Sequence, residues 1–166
     1  ASDVYKRQVW DYLAMAGFSA GNVLDPAAGT GRFADAMPEG MAGLASITMV
    51  EPDPVSALIA QHAHPGMAVQ CKGYEATTLA DDSFDVAVTN VPFGQFSVYD
   101  RRHAGEGMLV HDYFFAKAID QVRPGGIIAF VTSKGTMDKQ NPDVRRYLAR
   151  RAELLGAIRL PNNAFA

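Results

Sequence analysis

The chain has 166 residues, 48% of them hydrophobic, and a mean hydropathy of −0.04, which is typical of one globular domain with a sizeable core. Its net charge of −3 argues against a stand-alone nucleic-acid-binding protein. Any nucleic-acid-binding surface must therefore be local or belong to another domain. No apolar run is long enough to cross a membrane, no signal-peptide pattern is present, and the single cysteine, Cys71, excludes an internal disulfide. We therefore expect a cytoplasmic protein in which Cys71 is a small buried apolar residue.

Short β-rich runs alternate with helix-like segments along the chain. Six strands are predicted, over residues 22–25, 47–51, 67–71, 84–90, 127–132 and 154–160. Helices are predicted over residues 32–37, 54–62, 111–122 and 143–151, with Pro124-Gly125-Gly126 ending the third. This alternation predicts an α/β fold with a doubly wound, mostly parallel sheet.

The most informative stretch is Asn90-Val91-Pro92-Phe93, which directly follows the fourth predicted strand. In an open α/β sheet, ligands bind at the carboxyl ends of the strands. Asn90 offers a side-chain carbonyl acceptor, Pro92 lacks an N–H and fixes the turn, and Phe93 offers a flat apolar face. Together these residue types would hold a planar group with an exocyclic amine, such as a nucleobase.

A glycine-containing loop follows the first predicted strand and reads Asp25-Pro26-Ala27-Ala28-Gly29-Thr30-Gly31-Arg32-Phe33. Gly29 and Gly31 let a ligand approach the main chain, and the start of the next helix suits a carboxylate or phosphate. Because Ala34 replaces a third glycine and no Lys-Ser/Thr follows, the loop is neither a dinucleotide motif nor a P-loop. Asp25 would repel a pyrophosphate and attract a cation such as an amino group or a sulfonium.

Glu51 ends the second predicted strand, where an acid usually binds ribose hydroxyls. An acid after the first strand together with a ribose-binding acid fits S-adenosylmethionine better than NAD. The glycine loop, Glu51 and the Asn90–Phe93 stretch, in this order, resemble the S-adenosylmethionine-dependent N6-adenine DNA methyltransferases. The resemblance is closest to methylase modules of large helicase-containing proteins from phages and mobile elements, which have an ending similar to residues 158–165, and it covers roughly residues 23–165.

The resemblance implies a Rossmann-like fold of the class I methyltransferase type and transfer of a methyl group from S-adenosylmethionine to adenine N6. Its catalytic positions are Asn90, Val91, Pro92 and Phe93: the Asn90 side-chain oxygen and the Val91 carbonyl would accept the N6 hydrogens, and Phe93 would stack on the base. Its cofactor-binding positions correspond to Asp25, Pro26, Ala27, Gly29, Gly31, Glu51 and Glu75. The family commonly has Cys at Ala28 and Pro at Val91, and Glu75 is a candidate for the acid that binds the cofactor adenine.

The implied partners are DNA and further domains of a larger parent, such as helicase or target-recognition regions. Two alternatives stay open: methylation of an RNA base or a protein glutamine amide, which uses a similar motif, and an inactive module that binds cofactor or DNA. The chain stops after the sixth predicted strand, without the family's antiparallel seventh strand or an aromatic-Thr-Pro segment before Trp10. We therefore expect one truncated catalytic core over residues 9–166, with weak cofactor binding and little activity alone, and non-native sequence over residues 1–8.

Residues 94–109 form the longest segment without clear periodicity, and a loop of this length in a compact domain is usually functional or disordered. The segment contains Arg101, Arg102 and His103, which we expect to be mostly solvated. The aromatic run Tyr113-Phe114-Phe115 that follows is expected to belong mostly to the core.

Overall fold

The computed structural model describes residues 2–103 and 108–160, with side chains from residue 4 onward. Five strands are formed: β1 (Gly21–Asp25), β2 (Ala45–Val50), β3 (Ala68–Gln70), β4 (Phe84–Asn90) and β5 (Val122–Val131). The helices are α1 (Ser2–Met15), α2 (Arg32–Asp35), α3 (Pro54–Ala63), α4 (Val110–Gln121), α5 (Lys134–Asp138) and α6 (Asp143–Ala149), and 3₁₀ turns cover Glu39–Met41 and Tyr74–Ala76. The predicted ending over residues 161–165 lies outside the described residues.

The five strands form one sheet in the order β3-β2-β1-β4-β5, and every pair of neighbours is parallel. Val23 of β1 pairs with Ile47 on one side and with Val86 on the other. The strand order therefore reverses between β1 and β4, and this reversal opens a crevice at the carboxyl ends of the two strands. The predicted doubly wound parallel sheet is confirmed.

Helices cover both faces of the sheet because successive side chains of each strand point to opposite sides. Val23 packs into a cluster with Trp10 of α1 and Phe33 of α2, whereas the next residue, Leu24, packs into a cluster with Tyr113 of α4. The strands are thus buried on both faces, which explains why they read as continuous apolar runs in the sequence. The expected core position of the aromatic run in α4 is also found, since Tyr113 and Phe114 are buried.

Helix α1 is anchored to the first of these clusters by the only tryptophan of the chain. The side chain of Trp10 is fully buried and its indole N–H donates a hydrogen bond of 2.8 Å to the Phe33 carbonyl. Residues 4–8 belong to the segment predicted to be non-native. They form part of α1, and Tyr5 and Lys6 are buried.

The region around Pro124-Gly125-Gly126 differs from the prediction, because it lies inside β5 instead of between a helix and a strand. Phe84 pairs with Val122 and Val86 with Ile127. The register of β5 against β4 therefore shifts between these two pairs, because β5 has more residues there than β4. A Cβ on Gly126 would lie 2.5 Å from the Asp85 carbonyl oxygen. The glycine is therefore needed for the close approach of the two strands rather than to end a helix.

The predicted sixth strand is wrong for residues 154–160, which have no regular secondary structure. Leu154, Leu155 and Ile158 are 68%, 72% and 67% exposed, and no described segment pairs with them. An apolar run becomes a strand only where a neighbouring strand pairs with its backbone hydrogen-bonding groups, and the sequence pattern does not report this condition.

Cys71 is exposed rather than buried, because β3 ends one residue before it. Within residues 2–103 and 108–160, no helix has both the length and the apolar character to span a bilayer.

Candidate active site

Except for Glu75, the predicted site residues gather at the carboxyl edge of the sheet, around the point where the strand order reverses. Asp25 is the last residue of β1 and Asn90 the last of the neighbouring β4, and Glu51 directly follows β2. A hydrogen bond of 2.6 Å from the Thr89 hydroxyl to Asp25 Oδ1 joins the ends of β1 and β4. The sheet thus places the glycine loop and the Asn90–Phe93 stretch side by side, as the sequence predicted.

The glycine loop is held by Glu51 through its main chain. The Gly29 N–H donates to Glu51 Oε2 at 2.8 Å, and the Asp53 N–H donates to Glu51 Oε1, also at 2.8 Å. Gly29 and Gly31 have φ values of +55° and +86°, in the left-handed region that favours glycine. Glu51 therefore fixes the glycine loop, a structural role that the sequence did not reveal. Its assignment to ribose hydroxyls stays a prediction.

Replacing Gly31 by alanine should destabilise the protein, since a Cβ there would lie 2.8 Å from the His64 ring while the backbone stays at a positive φ. We expect Gly31→Ala to lower the free energy of unfolding by about 1–3 kcal/mol, measured by urea denaturation. Gly66→Ala is the matched control, because a Cβ at Gly66 meets nothing within 4 Å. Equal stability of the two variants would contradict this account of the loop.

Asp25 is a buried carboxyl group, only 1% exposed. Its Oδ1 accepts hydrogen bonds from the Thr89 hydroxyl and, at 3.4 Å, from the Ala27 N–H. Burial raises the pKa of Asp25 to about 7, although these hydrogen bonds and the charge of Lys6 act in the opposite direction. A buried carboxylate is energetically unfavourable unless a cation pairs with it. The ionised form of Asp25 therefore favours a cationic ligand. Pro26 is buried beside Asp25, and Ala27 is half-buried.

Asn90 provides an unused acceptor at the end of β4. Its Oδ1 is buried and has no hydrogen-bond partner among the described residues. The next residue, Val91, is buried, and its N–H donates to the Val131 carbonyl at 3.0 Å, which fixes the turn. Pro92 is half-buried and Phe93 is 47% exposed. Since a buried carbonyl without a donor is costly, the geometry favours a ligand that supplies an N–H at this point.

Glu75 is not brought to the other predicted site residues by any described contact. It lies exposed in the 3₁₀ turn Tyr74–Ala76, after β3, and lines a cavity of about 340 Å³ together with Asp100 and Lys117. Its assignment to the cofactor adenine stays a prediction.

The loop after Phe93 is tied to α4 by a network around Asp100, which the sequence did not indicate. Asp100 Oδ2 accepts hydrogen bonds from the Tyr113 hydroxyl at 2.7 Å and from Lys117 Nζ at 3.3 Å, and His103 Nδ1 lies 3.1 Å from it. Burial opposes ionisation of Asp100, but these contacts together hold its pKa well below the usual range. Arg102 is exposed, as expected, yet it pairs with Asp81 at 2.5 Å.

Removing the Asp100 carboxylate should leave the buried Lys117 ammonium without its charged partner. We expect Asp100→Ala to lower the free energy of unfolding by about 3 kcal/mol at pH 7. Because the folded-state pKa of Asp100 is depressed, this stabilisation is fully present above about pH 4, begins to fall below that pH, and is lost completely only as the pH drops through the folded-state pKa. Denaturation curves at pH 7 and pH 3 measure both effects, with the exposed Asp11→Ala as control. A stability difference that persists undiminished at pH 3 would contradict the electrostatic explanation.

A second buried polar cluster lies at the start of α4, next to β5. Asp112 is fully buried and forms an ion pair of 2.5 Å with Lys139, and both ring nitrogens of the buried His111 lack a hydrogen-bond partner among the described residues. Burial, the largest effect, lowers the pKa of His111. Through the Asp112–Lys139 ion pair, the cluster connects the start of α4 to the end of α5, the helix that follows β5. It lies at the same edge of the sheet as Asn90.

Comparison with known proteins gives one sequence relative and many structural neighbours, and no protein-family model matches the chain. The chain is 36% identical over 163 residues to defense against restriction protein B of Escherichia phage P1. That alignment covers 95% of this chain but 7% of the phage protein, so the chain spans a small part of its relative's length.

The structural neighbours share the arrangement of the sheet. A modification subunit assigned to a type I restriction enzyme of Vibrio vulnificus superposes with a TM-score of 0.64 and 20% identity, over 86% of this chain and 37% of the subunit. A Methanococcus maripaludis protein described as an S-adenosylmethionine-dependent methyltransferase gives a TM-score of 0.56 at 15% identity, over 90% and 62% of the two chains. With its five parallel strands and flanking helices, the chain has the Rossmann-like fold of class I methyltransferases.

Proposed function

We propose that this chain transfers a methyl group from S-adenosylmethionine to the exocyclic N6 amine of adenine in DNA. The observation that carries the proposal is the buried Asn90 Oδ1 without a hydrogen-bond donor, at the end of β4 beside the glycine loop. An exocyclic amine has two N–H groups and would satisfy this acceptor.

Asn90 and Val91 would position the amine for transfer. The Asn90 oxygen and the Val91 main-chain carbonyl would accept the two N6 hydrogens, which orients the nitrogen and stabilises the positive charge that develops on it. Phe93 would stack on the base, a contact worth about 1–3 kcal/mol. Alignment of the reacting atoms contributes roughly 7–11 kcal/mol to lowering the barrier. The amine nitrogen itself would attack the methyl carbon as the bond from that carbon to sulfur breaks, so no nucleophile from the protein is required. S-adenosylhomocysteine would leave, and one N6 proton would pass to water.

The residues at the end of β1 fit a cationic amino-acid ligand. S-adenosylmethionine would supply an activated methyl group, and Asp25 would receive its ammonium group. Both hydrogen bonds described for the Asp25 side chain end on Oδ1, so Oδ2 is the oxygen that would face the cation. Gly29 and Gly31 leave the main chain open to close approach, and Glu51 keeps one further lone pair on each carboxylate oxygen for ribose hydroxyls. Pro26, Ala27 and Glu75 complete the proposed cofactor contacts.

Two comparisons favour DNA over RNA or protein as the substrate. One structural neighbour is described as the modification subunit of a restriction enzyme, and the phage relative is named for defence against restriction. Because the chain corresponds to 7% of that relative, we also propose that it works within a larger protein whose other parts deliver the DNA.

The substrate class can be tested with S-adenosylmethionine that carries a tritiated methyl group. The protein is incubated separately with unmethylated DNA, with RNA and with a glutamine-containing peptide, and label transfer is counted. We expect label in DNA, transferred about 10²–10³-fold more slowly by Asn90→Ala. Label only in RNA or in the peptide would replace the DNA proposal, and cofactor binding without any transfer would indicate an inactive binding module.

A further inference from the structure

A fully buried hydroxyl group lies inside the candidate site, next to Asn90. It belongs to Thr89, which is 0% exposed and is the last residue but one of β4. The three strand residues before it, Val86, Ala87 and Val88, are apolar and buried. Because a buried hydroxyl without a partner is costly, the contacts of this side chain indicate why a polar group stands in an otherwise apolar stretch.

Two oxygen atoms contact the hydroxyl, and both are acceptors. Thr89 Oγ1 lies 2.6 Å from Asp25 Oδ1 and 3.3 Å from the Ala27 carbonyl oxygen. A threonine hydroxyl has a single proton to donate, so the much shorter contact identifies Asp25 as the acceptor. This short distance is typical of a hydrogen bond from a hydroxyl to an ionised carboxylate. The Thr89 hydroxyl therefore stabilises the charged form of Asp25.

Other groups act on the Asp25 carboxyl more weakly. Burial raises its pKa most, and the hydrogen bond from Thr89 has the largest effect in the opposite direction. The Ala27 N–H and the charge of Lys6 on α1 also lower the pKa, and the charge of Glu51 after β2 raises it, but each of these effects is smaller. Thr89 is thus the main group that favours ionisation of Asp25 against the cost of burial.

The charge of Asp25 matters because the proposed cofactor carries an ammonium group. The ionised carboxylate attracts a cation, whereas the protonated acid has lost this attraction. Without the hydroxyl, Asp25 would stay protonated to a higher pH. Valine has nearly the shape of threonine but cannot donate a hydrogen bond, so only the hydroxyl of Thr89 can have this effect.

We propose that Thr89 is a positioning residue of the cofactor site, whose hydroxyl keeps Asp25 ionised and so sets the pH range in which the site binds a cationic ligand. This inference rests on the proposed function for the identity of the ligand. The protonation of Asp25 itself can be measured in the ligand-free protein.

The first test is a carbon-13 NMR titration of the Asp25 side-chain carboxyl carbon without ligand, with the resonance assigned from its absence in Asp25→Asn. We expect a midpoint near pH 7 in the unchanged protein. In Thr89→Val the midpoint should lie about one to two pH units higher, the shift that corresponds to the loss of a hydrogen bond to a charged group.

Two further variants separate the hydroxyl from a general effect of mutation. Thr89→Ser keeps the hydroxyl and should titrate like the unchanged protein. Thr132→Val is the matched control, because it removes a threonine hydroxyl that follows β5 and contacts the Thr136 hydroxyl at 2.8 Å instead of an acid. It should leave the titration of Asp25 unchanged.

The second test is the affinity for S-adenosylmethionine at pH 7, measured by calorimetry. The higher midpoint lowers the ionised fraction of Asp25 at this pH, so Thr89→Val should bind the cofactor about 5- to 50-fold more weakly. Thr89→Ser should restore the affinity.

Equal midpoints in the unchanged protein and in Thr89→Val would overturn the inference, as would a shifted midpoint without any change in affinity. If Thr89→Val does not fold, Thr89→Ala is compared with Thr89→Ser, since the two differ by the hydroxyl alone, and equal midpoints in that pair have the same meaning. A shifted midpoint and weakened cofactor binding in a protein that transfers no methyl group would support the role of Thr89 and contradict the proposed function. The two failures are therefore distinct.

Discussion

Asn90→Ala is expected to lower the rate of methyl transfer by about 10²–10³-fold while leaving cofactor affinity unchanged. The Asn90 oxygen is buried without a donor, so its proposed task is to hold the target amine and to stabilise charge in the transition state. None of the bonds described for the glycine loop uses the Asn90 side chain. Single-turnover transfer of a labelled methyl group, with cofactor affinity measured by calorimetry, separates the two effects.

Asn22→Ala is the matched control for this variant, because Asn22 is an exposed asparagine near the opposite end of the sheet. It should transfer methyl groups at the unchanged rate. If Asn90→Ala lost cofactor binding as well as activity, the Asn90 side chain would serve the cofactor or the fold, and its assignment to the substrate would fail.

Asp25→Asn is expected to weaken S-adenosylmethionine binding by about 30-fold or more, because it removes the charge that would pair with the ligand ammonium. The pKa of Asp25 near 7 also makes this affinity pH-dependent in the unchanged protein. Below pH 7 the carboxyl group binds a proton and loses its attraction for a cation. Affinity should therefore rise between pH 6 and pH 8, and calorimetry over that range should show no such rise in Asp25→Asn.

The same substitution should stabilise the protein in alkaline solution. Since burial raises the folded-state pKa of Asp25 from 3.8 to about 7, its contribution to stability is fully present below pH 3.8 and is lost as the pH rises through 7. The total loss is on the order of 4 kcal/mol. Asp25→Asn keeps the shape without this ionisation, so it should be more stable than the unchanged protein at pH 8 and similar at pH 4.

The exposed Asp11→Asn serves as the control for general charge effects, and its stability should follow that of the unchanged protein at both pH values. If Asp25→Asn were less stable than the unchanged protein at pH 8, the carboxylate would be a structural ion rather than a ligand site held at an energetic cost.

The parts of the fold that could be predicted from sequence are those set by local patterns. Continuous apolar runs identified the five observed strands, and β4 was predicted with its observed limits because both faces of it are buried. Parallel order then followed from the alternation with helices, and this order placed Asp25, Glu51 and Asn90 at one edge of the sheet.

The features that sequence reasoning missed depend on contacts between distant residues. Thr89 precedes Asn90 in an ordinary strand, and only the neighbouring β1 turns its hydroxyl into the partner of Asp25. The Asp100–Lys117 contact joins a loop to a helix, and no local periodicity encodes it. Residues 154–160 show the opposite case, in which an apolar run finds no neighbouring strand among the described residues.

The central claim is that this site methylates adenine N6, and mass spectrometry of nucleosides measures that product directly. Unmethylated DNA is incubated with the protein and S-adenosylmethionine, digested, and compared with DNA treated with Asn90→Ala. We predict N6-methyladenine after treatment with the unchanged protein and, after the same time, about 10²–10³-fold less of it after treatment with the variant. A protein that binds S-adenosylmethionine but forms no N6-methyladenine, or equal amounts of it from both proteins, would contradict the claim.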